Sequence, residues 1–290
     1  MEHSFEARPA NAESGAPHST RAEWDRIAPG YDRTNTVTQM ALGEVALRRA
    51  RLEPGMRFLD VASGSGALST PAARLGAHVV AVDQSPVMLE LLAARAEREN
   101  LPVECRAMNG EALELKDGEF DIAGSQFGVM LFPDMPKGIR EMARVVRLGG
   151  RVLMVAYGNP HQIDFLSFFV RAVQAVRPGF EGPPDDPPPL PFQLQDPRRL
   201  EKELSSAGLA DVNVVTVTEK TAFGTGKELW EWIIGSNPIV EEVLEKVGIS
   251  RDEWPAIEQA MEVLVRQRAG NDDVAVLTNP VNIGIGTRGE

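Results

Sequence analysis

One carboxylate and one pair of glycines stand at a spacing that suits a nucleoside ligand. The glycines are Gly64 and Gly66, in a turn directly after the mainly apolar run Phe58–Val61. The carboxylate is Asp83, about twenty residues further on. At that separation an acidic side chain can accept hydrogen bonds from ribose hydroxyls while the glycine backbone lies against the ligand. The pattern predicts a nucleoside site, with a purely structural strand-to-helix turn as the alternative.

The residues after the glycine turn argue against two common phosphate-binding loops. A dinucleotide fingerprint needs a third glycine near position 69, where this chain has Ser69. A Walker loop needs Gly-Lys-Ser or Gly-Lys-Thr after the turn, and the sequence has neither there. Neither pyrophosphate nor triphosphate is therefore favoured, and an NAD(P)-dependent oxidoreductase stays open as the second hypothesis.

Alternating strands and helices are expected to hold these residues at one edge of a sheet. Apolar runs separated by segments with helical periodicity are typical of parallel βα units. The predicted strands are Phe58–Val61, His78–Asp83, Val103–Ala107, Phe120–Phe127, Arg151–Tyr157, Val212–Val217 and Val281–Thr287. The fold class is accordingly α/β, a Rossmann-like seven-stranded sheet that is mostly parallel, with the last strand antiparallel and helical lid insertions.

Helical spacing of apolar residues predicts the remaining elements. Helices are expected over 24–28, 37–51, 139–146, 165–173, 197–207, 229–247 and 254–268, with two more beginning at 70 and 85. Pro29-Gly30 is expected to end the first helix. The segment Pro178–Pro191 contains seven prolines, so we expect an irregular surface loop or lid rather than a central strand.

Length and composition set the class of protein. The chain has 290 residues, 43% of them hydrophobic, which suffices for one large domain with insertions. We expect a disordered tail over 1–20, a cofactor-binding core with N-terminal helices over 21–157, and lid insertions with the remaining strands of the same domain over 158–290. A net charge of -12 argues against a nucleic-acid surface. The single cysteine, Cys105, fits a cytoplasmic protein, and no apolar run suggests membrane insertion.

Five segments match the motifs of one enzyme family in order and spacing. They are Leu59–Gly66, Ala81–Ser85, Asn109–Leu113, Phe120-Asp121 with Phe127–Asp134, and Arg144–Arg151. Together they resemble the motifs of the class I S-adenosylmethionine-dependent methyltransferases. Trp24 through Asp32 is similar to the N-terminal helix of the quinone-biosynthesis-type branch, methyltransferase type 11.

The resemblance implies S-adenosylmethionine as the cofactor and a set of residues that bind it. The turn Gly64, Ser65 and Gly66 would contact the methionine portion, and Asp83, followed by Gln84, the ribose hydroxyls. The other residues of the set would be Asn109 at the adenine amino group, Gln126 near the sulfonium, and Met88 and Gly110 packed on the adenine. Each also has a structural interpretation: Asp83 as a helix cap, Asn109 as a turn residue and Met88 as core.

Candidate catalytic residues are fewer, because in-line methyl transfer mainly requires positioning and exclusion of water. His161 follows the fifth predicted strand and could deprotonate a hydroxyl or ammonium group, or it could be an ordinary surface histidine. Tyr31 and Tyr157 are comparable candidates. No metal site is expected.

The second half of the chain is expected to select the acceptor. Aromatic residues recur there at helical spacing and could line an apolar pocket or simply form core: Phe165, Phe168, Phe169, Phe192, Trp230 and Trp232. The predicted function is methyl transfer to a small-molecule acceptor, with aromatic and isoprenoid compounds as candidates, through an oxygen, nitrogen or carbon nucleophile. A non-catalytic S-adenosylmethionine-binding subunit is a further alternative. The sequence leaves the acceptor and the oligomeric state open.

Overall fold

Seven strands form a single sheet in the computed structural model, which describes residues 19–289. The strands are β1 Arg57–Val61, β2 His78–Asp83, β3 Val103–Ala107, β4 Phe120–Gln126, β5 Val146–Tyr157, β6 Leu209–Phe223 and β7 Ala275–Arg288. Their order across the sheet is β3-β2-β1-β4-β5-β7-β6. All neighbours from β3 to β5 are parallel, and β7 is antiparallel to both β5 and β6. The predicted Rossmann-like sheet with an antiparallel last strand is confirmed.

The register of the central strands brings the residues at their carboxyl ends close together. Leu59 pairs with Val80 on β2 and with Ala123 on β4, all three buried among apolar neighbours. Because these strands are parallel, their carboxyl ends meet at one edge, where open α/β sheets bind ligands. The turn after β1 and the end of β2 at Asp83 therefore lie side by side.

One long helical segment crosses this edge of the sheet from the N-terminal side. It consists of helix α1 Arg21–Tyr31, a π-helical stretch Asp32–Thr36 and helix α2 Val37–Arg49. The predicted break at Pro29-Gly30 is wrong, because Pro29 lies inside α1. Tertiary contacts hold the segment helical despite the missing amide: Ile27 and Ala28 are buried, and Asn35 donates a hydrogen bond to the Trp232 carbonyl.

Eight further α-helices are present in the described chain. They are α3 Ser69–Arg74, α4 Pro86–Glu99, α5 Met135–Val145, α6 Asp164–Val176, α7 Pro197–Ser206, α8 Gly226–Ser236, α9 Ile239–Lys246 and α10 Trp254–Ala269. The single helix predicted over 229–247 is wrong, because Asn237 is extended and separates α8 from α9. Pro238 disfavours helical geometry at the preceding residue, which explains the break.

Strands β6 and β7 are longer than predicted and form a hairpin-like extension beyond the sheet edge. Val281–Thr287 pairs with β5, whereas Ala275–Pro280 pairs with β6 alone. Helices α8 to α10 are inserted between β6 and β7, and with α6 they bury a second apolar core against this extension. The predicted tail over 1–20 falls almost entirely outside the described residues. Within 19–289, none of the helices has the length and hydropathy to cross a membrane.

Candidate functional site

A cavity of about 340 Å³ opens at the carboxyl edge of the sheet. Its walls come from the turns after β1, β2, β3 and β4, from α1, and from the segments inserted after β5 and β6. It is lined by eight of the residues predicted for the site: Tyr31, Gly64, Asp83, Gln84, Met88, Asn109, Gly110 and Gln126. Its volume lies in the range that holds small ligands and cofactors.

Asp83 lines this cavity and is held in place by two backbone amides. Gly64 donates its N–H to Asp83 Oδ2 at 2.8 Å, and Ser85 donates its N–H to Oδ1 at 2.9 Å. Burial raises the pKa of Asp83, and these amide bonds act in the opposite direction. Each carboxylate oxygen keeps acceptor capacity for a ligand hydroxyl, while Ser85, not Asp83, caps α4 by accepting the Met88 N–H.

Glycine is required at the two positions of the turn for different structural reasons. Gly64 has φ +51° and faces the cavity, where an added Cβ would meet only Tyr31 Cε1 at 3.7 Å. At Gly66, with φ +97°, a Cβ would lie 2.4 Å from Leu92 Cδ1 of α4. Ser65 is fully buried with its hydroxyl 2.6 Å from that of Thr36. The structure therefore brings Gly64 to the cavity but not Ser65 or Gly66, which pack the turn against the helices.

A second carboxylate, Asp60, lines the cavity and was missed by the sequence interpretation as a site residue. It is 1% exposed, accepts a hydrogen bond from the Ser69 hydroxyl through Oδ2 at 2.6 Å, and has no partner within 19–289 for Oδ1. Burial, with a smaller contribution from Asp83, raises the pKa of Asp60 to about 7. The available signal was an acidic residue inside an otherwise apolar, buried strand.

The adenine side suggested by the motifs is formed by tightly packed loops. Asn109 accepts a hydrogen bond from the Glu111 N–H through Oδ1 at 2.9 Å, so its side chain does stabilise a turn. The side-chain amide N–H groups of Asn109 remain available to a ligand. At Gly110 an added Cβ would lie 2.5 Å from Phe132 Cζ, so only glycine fits under that ring. Met88 is 1% exposed and belongs both to the core and to the cavity wall.

Gln126 and Tyr31 form the opposite wall together with α2. Gln126 donates through Nε2 to the Gln39 carbonyl at 3.0 Å, and Tyr31 donates its hydroxyl to Gln39 Oε1 at 3.3 Å. Burial, followed by the charges of Asp83 and Asp60, raises the pKa of Tyr31. Tyr31 therefore keeps its proton near neutral pH and can act as a hydrogen-bond donor, not as a general base.

Tyr157 lies behind this wall. Its ring stacks on Phe127, a cavity residue, with centroids 4.3 Å apart. Burial, then the charges of Glu219 and Tyr31, holds the pKa of Tyr157 well above its usual range. The hydroxyl is thus neutral, and the ring positions Phe127.

His161 is not brought to the cavity. It lines a second cavity of about 240 Å³ between α6 and the proline-rich segment. Its Nε2 lies 3.0 Å from Asp185 Oδ1, and the two side chains are 69% and 72% exposed. A histidine in that position cannot take a proton from a group held in the first cavity, so we do not retain it as a catalytic base.

The inserted segments reach the mouth of the first cavity through four residues, Leu190, Pro191, Asn237 and Ile239.

The aromatic residues of the second half of the chain lie in three different places. Phe165 and Trp232 contact each other with centroids 5.1 Å apart, and Phe165 meets Tyr157 at 5.6 Å. Phe192 lines the second cavity, whereas Phe168, Phe169 and Trp230 are buried in the second core.

The charges of the cavity distinguish between nucleoside ligands. Its lining includes Asp60, Asp83 and Glu111, and within the described chain it contains no Lys, Arg or His. Such a field favours a cationic or neutral ligand and opposes a pyrophosphate. Fold and cavity together define the class: a Rossmann-like protein with an acidic ligand cavity at the carboxyl edge of its sheet.

Comparison with known proteins agrees with this class. A family model described as a methyltransferase domain matches residues 59–154. The chain is 31% identical over 207 residues to a demethylmenaquinone methyltransferase of Mycolicibacterium gilvum, covering 68% of this chain and 88% of that protein. It is 37% identical over 137 residues to an uncharacterised protein of Mycobacterium tuberculosis, covering 47% and 48%. The match thus spans about half the length of those first relatives.

A solved structure extends the likeness of fold over most of the chain. The YcgJ protein of Bacillus subtilis superposes with a TM-score of 0.54 at 17% identity, covering 87% of this chain and 98% of that one. The chain belongs to the class I S-adenosylmethionine-dependent methyltransferases. S-adenosylmethionine is the cofactor that this membership brings, as the motifs predicted.

Proposed function

We propose that this chain transfers a methyl group from S-adenosylmethionine to a small-molecule acceptor held under the inserted helices and the proline-rich segment. One observation carries the proposal: the cavity is closed on one side by Leu190, Pro191, Asn237 and Ile239, which lie outside the matched domain. Residues 158–290 then supply lid insertions over the cavity, together with the remaining strands β6 and β7 of the same domain. A lid that excludes water is what in-line displacement at a sulfonium carbon requires.

The residues of the cavity fit this cofactor. Asp60 Oδ1 and Gln126 Oε1 are buried acceptors without a partner in the described part of the chain, and Gly64 leaves open space beside Tyr31. The bound cofactor supplies a methyl group activated by a positively charged sulfur. Asp83 would accept hydrogen bonds from the ribose hydroxyls, and Asn109 would donate one from its side-chain amide to the adenine. Asp60 adds negative charge, which favours a cationic ligand.

The chain contributes positioning to the reaction more than proton transfer. Tyr31 contributes a neutral hydroxyl that Gln39 holds in place, and the Phe127–Tyr157 stack forms an apolar wall next to Gln126. An acceptor atom that is already nucleophilic needs no base beside it. We therefore expect geometry and exclusion of water to account for most of the rate enhancement.

The acceptor side is rich in aromatic rings, which favours an aromatic or isoprenoid acceptor. The relative from Mycolicibacterium gilvum is a demethylmenaquinone methyltransferase, so quinone-type compounds are the first class to test. Oxygen, nitrogen and carbon nucleophiles should all be included, because the wall residues do not by themselves choose among them.

Calorimetry with S-adenosylmethionine and S-adenosylhomocysteine tests the cofactor part. We expect both to bind, and we expect Asp83→Ala to lose most of that affinity while remaining folded. Incubation with an acceptor panel, followed by mass spectrometry for methylated product, tests the reaction. Absence of binding by both ligands would disprove the proposal, and tight binding without turnover across the panel would favour a non-catalytic subunit.

An NAD(P)-dependent oxidoreductase is the second candidate and is disfavoured by the same cavity. The carboxylates that line the cavity would repel a pyrophosphate. The lining residues within 19–289 include no Lys, Arg or His to offset that repulsion. Thermal stabilisation by S-adenosylhomocysteine but not by NAD⁺ would separate the two.

A further inference from the structure

A second buried carboxylate lies outside the cofactor cavity, on the side of the sheet where the lid helices pack. Glu219 on β6 is 8% exposed and stands opposite Asn279 on β7. Asn279 donates through Nδ2 to Glu219 Oε2 at 3.4 Å, while Asn279 Oδ1 is buried without a partner. Across residues 19–289 no Arg, Lys or His forms an ion pair with Glu219. Asn279 Oδ1 is therefore a buried acceptor without a donor, beside a carboxylate that has no cationic partner in the described residues.

The strand register places this pair on the aromatic face of the sheet. Tyr157, Val281 and Val217 form one row across β5, β7 and β6, and Asn279 with Glu219 forms the next row on the same face. Phe223 lies further along β6 on that face, and Trp232 of the lid meets its ring at 5.9 Å. The face of the sheet that carries Glu219 thus also carries the aromatic rings of Tyr157 and Phe223.

The position of Glu219 puts it on the acceptor side of the proposed reaction. Strand β6 lies three strand spacings from β4, or about 14 Å across the sheet, and Glu219 lies beyond the row of Tyr157, further along the strands than Gln126. Tyr157 links the two places, because its ring stacks on Phe127 of the cofactor cavity and its row of the sheet is next to that of Asn279 and Glu219. Glu219 is accordingly placed to contact a part of the acceptor remote from the nucleoside.

The chemistry of the pair selects one kind of ligand group. A carboxylate and an amide oxygen are both acceptors, and a protonated amine offers several N–H donors together with a positive charge. Aromatic rings add favourable cation–π contacts, which a neutral hydroxyl does not receive. We propose that Glu219 and Asn279 form a recognition site for a protonated amino group carried by the methyl acceptor. The inference rests on the proposed function and names the acceptor class for it.

The groups around Glu219 allow a proton-linked test. Burial raises the pKa of Glu219 to about 7, and the Asn279 hydrogen bond acts against this. Tyr157 is held protonated, and on the lid helices Asp164 pairs with Arg268 at 2.7 Å and accepts the Thr278 N–H. Binding of a cation holds Glu219 ionised, so it should release about half a proton at pH 7.

The experiment uses the full chain saturated with S-adenosylhomocysteine and two matched probes, 2-phenylethylammonium and 2-phenylethanol. Calorimetry in two buffers of different ionisation enthalpy gives both affinity and proton release. We expect the ammonium probe to bind at least about 10-fold more tightly than the alcohol, and Glu219→Gln to abolish that preference and the proton release. Thr221→Val, the next residue of β6 on the same face, is the control and should leave both unchanged.

A stability measurement separates recognition from a structural role. Glu219→Leu removes the buried acid, so we expect an unchanged or higher Tm at pH 8, unchanged S-adenosylhomocysteine affinity and loss of ammonium binding. Equal ammonium binding by wild type and Glu219→Gln would overturn the inference, as would equally tight alcohol binding or no ammonium binding. In those cases S-adenosylhomocysteine still binds and the proposed function stands. Failure of S-adenosylhomocysteine itself to bind would instead overturn the proposed function.

Discussion

Asp60 and Asp83 stand at the ends of neighbouring strands, yet their environments differ. Asp83 accepts hydrogen bonds from two backbone N–H groups. Asp60 accepts one hydrogen bond, from a hydroxyl, and its other oxygen is buried without a partner in the described structure. Burial dominates at Asp60 and raises its pKa from 3.8 to about 7. The difference makes Asp60 a residue that should lower stability near neutral pH while favouring a cationic ligand.

This gives a pH-dependent expectation for Asp60→Asn. Between pH 3.8 and about 7 the folded wild type binds more protons than the unfolded chain, so its stability falls as the pH rises through that window. The variant lacks this loss and should be more stable than wild type by roughly 1–3 kcal/mol at pH 8, with the difference vanishing near pH 4. Urea unfolding at both pH values measures it.

The same variant should bind S-adenosylmethionine about 10-fold more weakly, because the negative charge beside a cationic ligand is gone. A variant that is less stable than wild type at pH 8 would contradict the account of Asp60 as an uncompensated buried acid. Asp83→Asn provides the comparison, since it exchanges one of two amide-accepting oxygens for a donor and should not gain stability.

At the scale of elements, the two glycines in the turn between β1 and α3 have different roles, although the sequence pattern treats them alike. Gly66 allows close packing against α4, and Gly64 leaves space in the cavity. Gly66→Ala places a methyl group 2.4 Å from Leu92 at φ +97°, so we expect a loss of about 3 kcal/mol or more in stability. Gly64→Ala meets only Tyr31 and has φ +51°, so it should cost about 1–2 kcal/mol and project into the cavity.

Thermal unfolding and calorimetry distinguish the two glycine variants. Gly64→Ala should lose cofactor affinity out of proportion to its stability, whereas Gly66→Ala should be destabilised first and bind normally once folded. Equal losses of stability with equal losses of affinity would show that both glycines serve one purpose.

The N-terminal helical segment is joined to α4 by a buried ion pair. Asp32 Oδ1 lies 2.5 Å from Arg95 Nη2, with side chains 17% and 8% exposed. Asp32→Asn leaves a buried guanidinium without its counter-charge, so we expect a loss of about 3 kcal/mol in urea unfolding.

A matched control for that variant is Glu99→Gln, which breaks the more exposed pair between Glu99 of α4 and Arg74 of α3. Those side chains are 34% and 44% exposed, and the expected cost is below about 1 kcal/mol. Similar costs for the two variants would mean that burial of the Asp32 pair does not matter.

At the scale of the whole molecule, the cavity connects elements that are distant along the chain. Tyr31 comes from α1, Gly64 and Asp83 from the central strands, and Pro191 and Asn237 from the inserted segments. S-adenosylhomocysteine at 100 times its Kd should raise the free energy of unfolding by about 2.7 kcal/mol.

Hydrogen exchange should show where that stabilisation acts. We expect slower exchange in α1 and at Leu190–Phe192, which contribute to the cavity, and little local change in α10, which contributes no lining residue. Protection confined to β1–β5 would argue against a lid role for the inserted segments.

Local signals sufficed for the central half of the site. The strand before Gly64, the acid that ends β2 and the cap at Ser85 are each encoded within a few residues, so turn chemistry and apolar runs predicted them and their shared edge. The five motif segments named the family on the same local basis. Prediction failed where tertiary contacts overrode local preference, as at Pro29, which stays inside α1.

By itself, then, the sequence determined the α/β class, the nucleoside edge and the family, because strand ends and glycine turns are short-range features. Only the tertiary structure decided which turn residues face the cavity, that His161 lies in another one, and that Glu219 meets Asn279 sixty positions away. Those facts depend on register between distant strands and on packing of inserted helices. The burial of a side chain follows from such long-range packing, so its pKa and its role cannot be read from neighbouring residues alone.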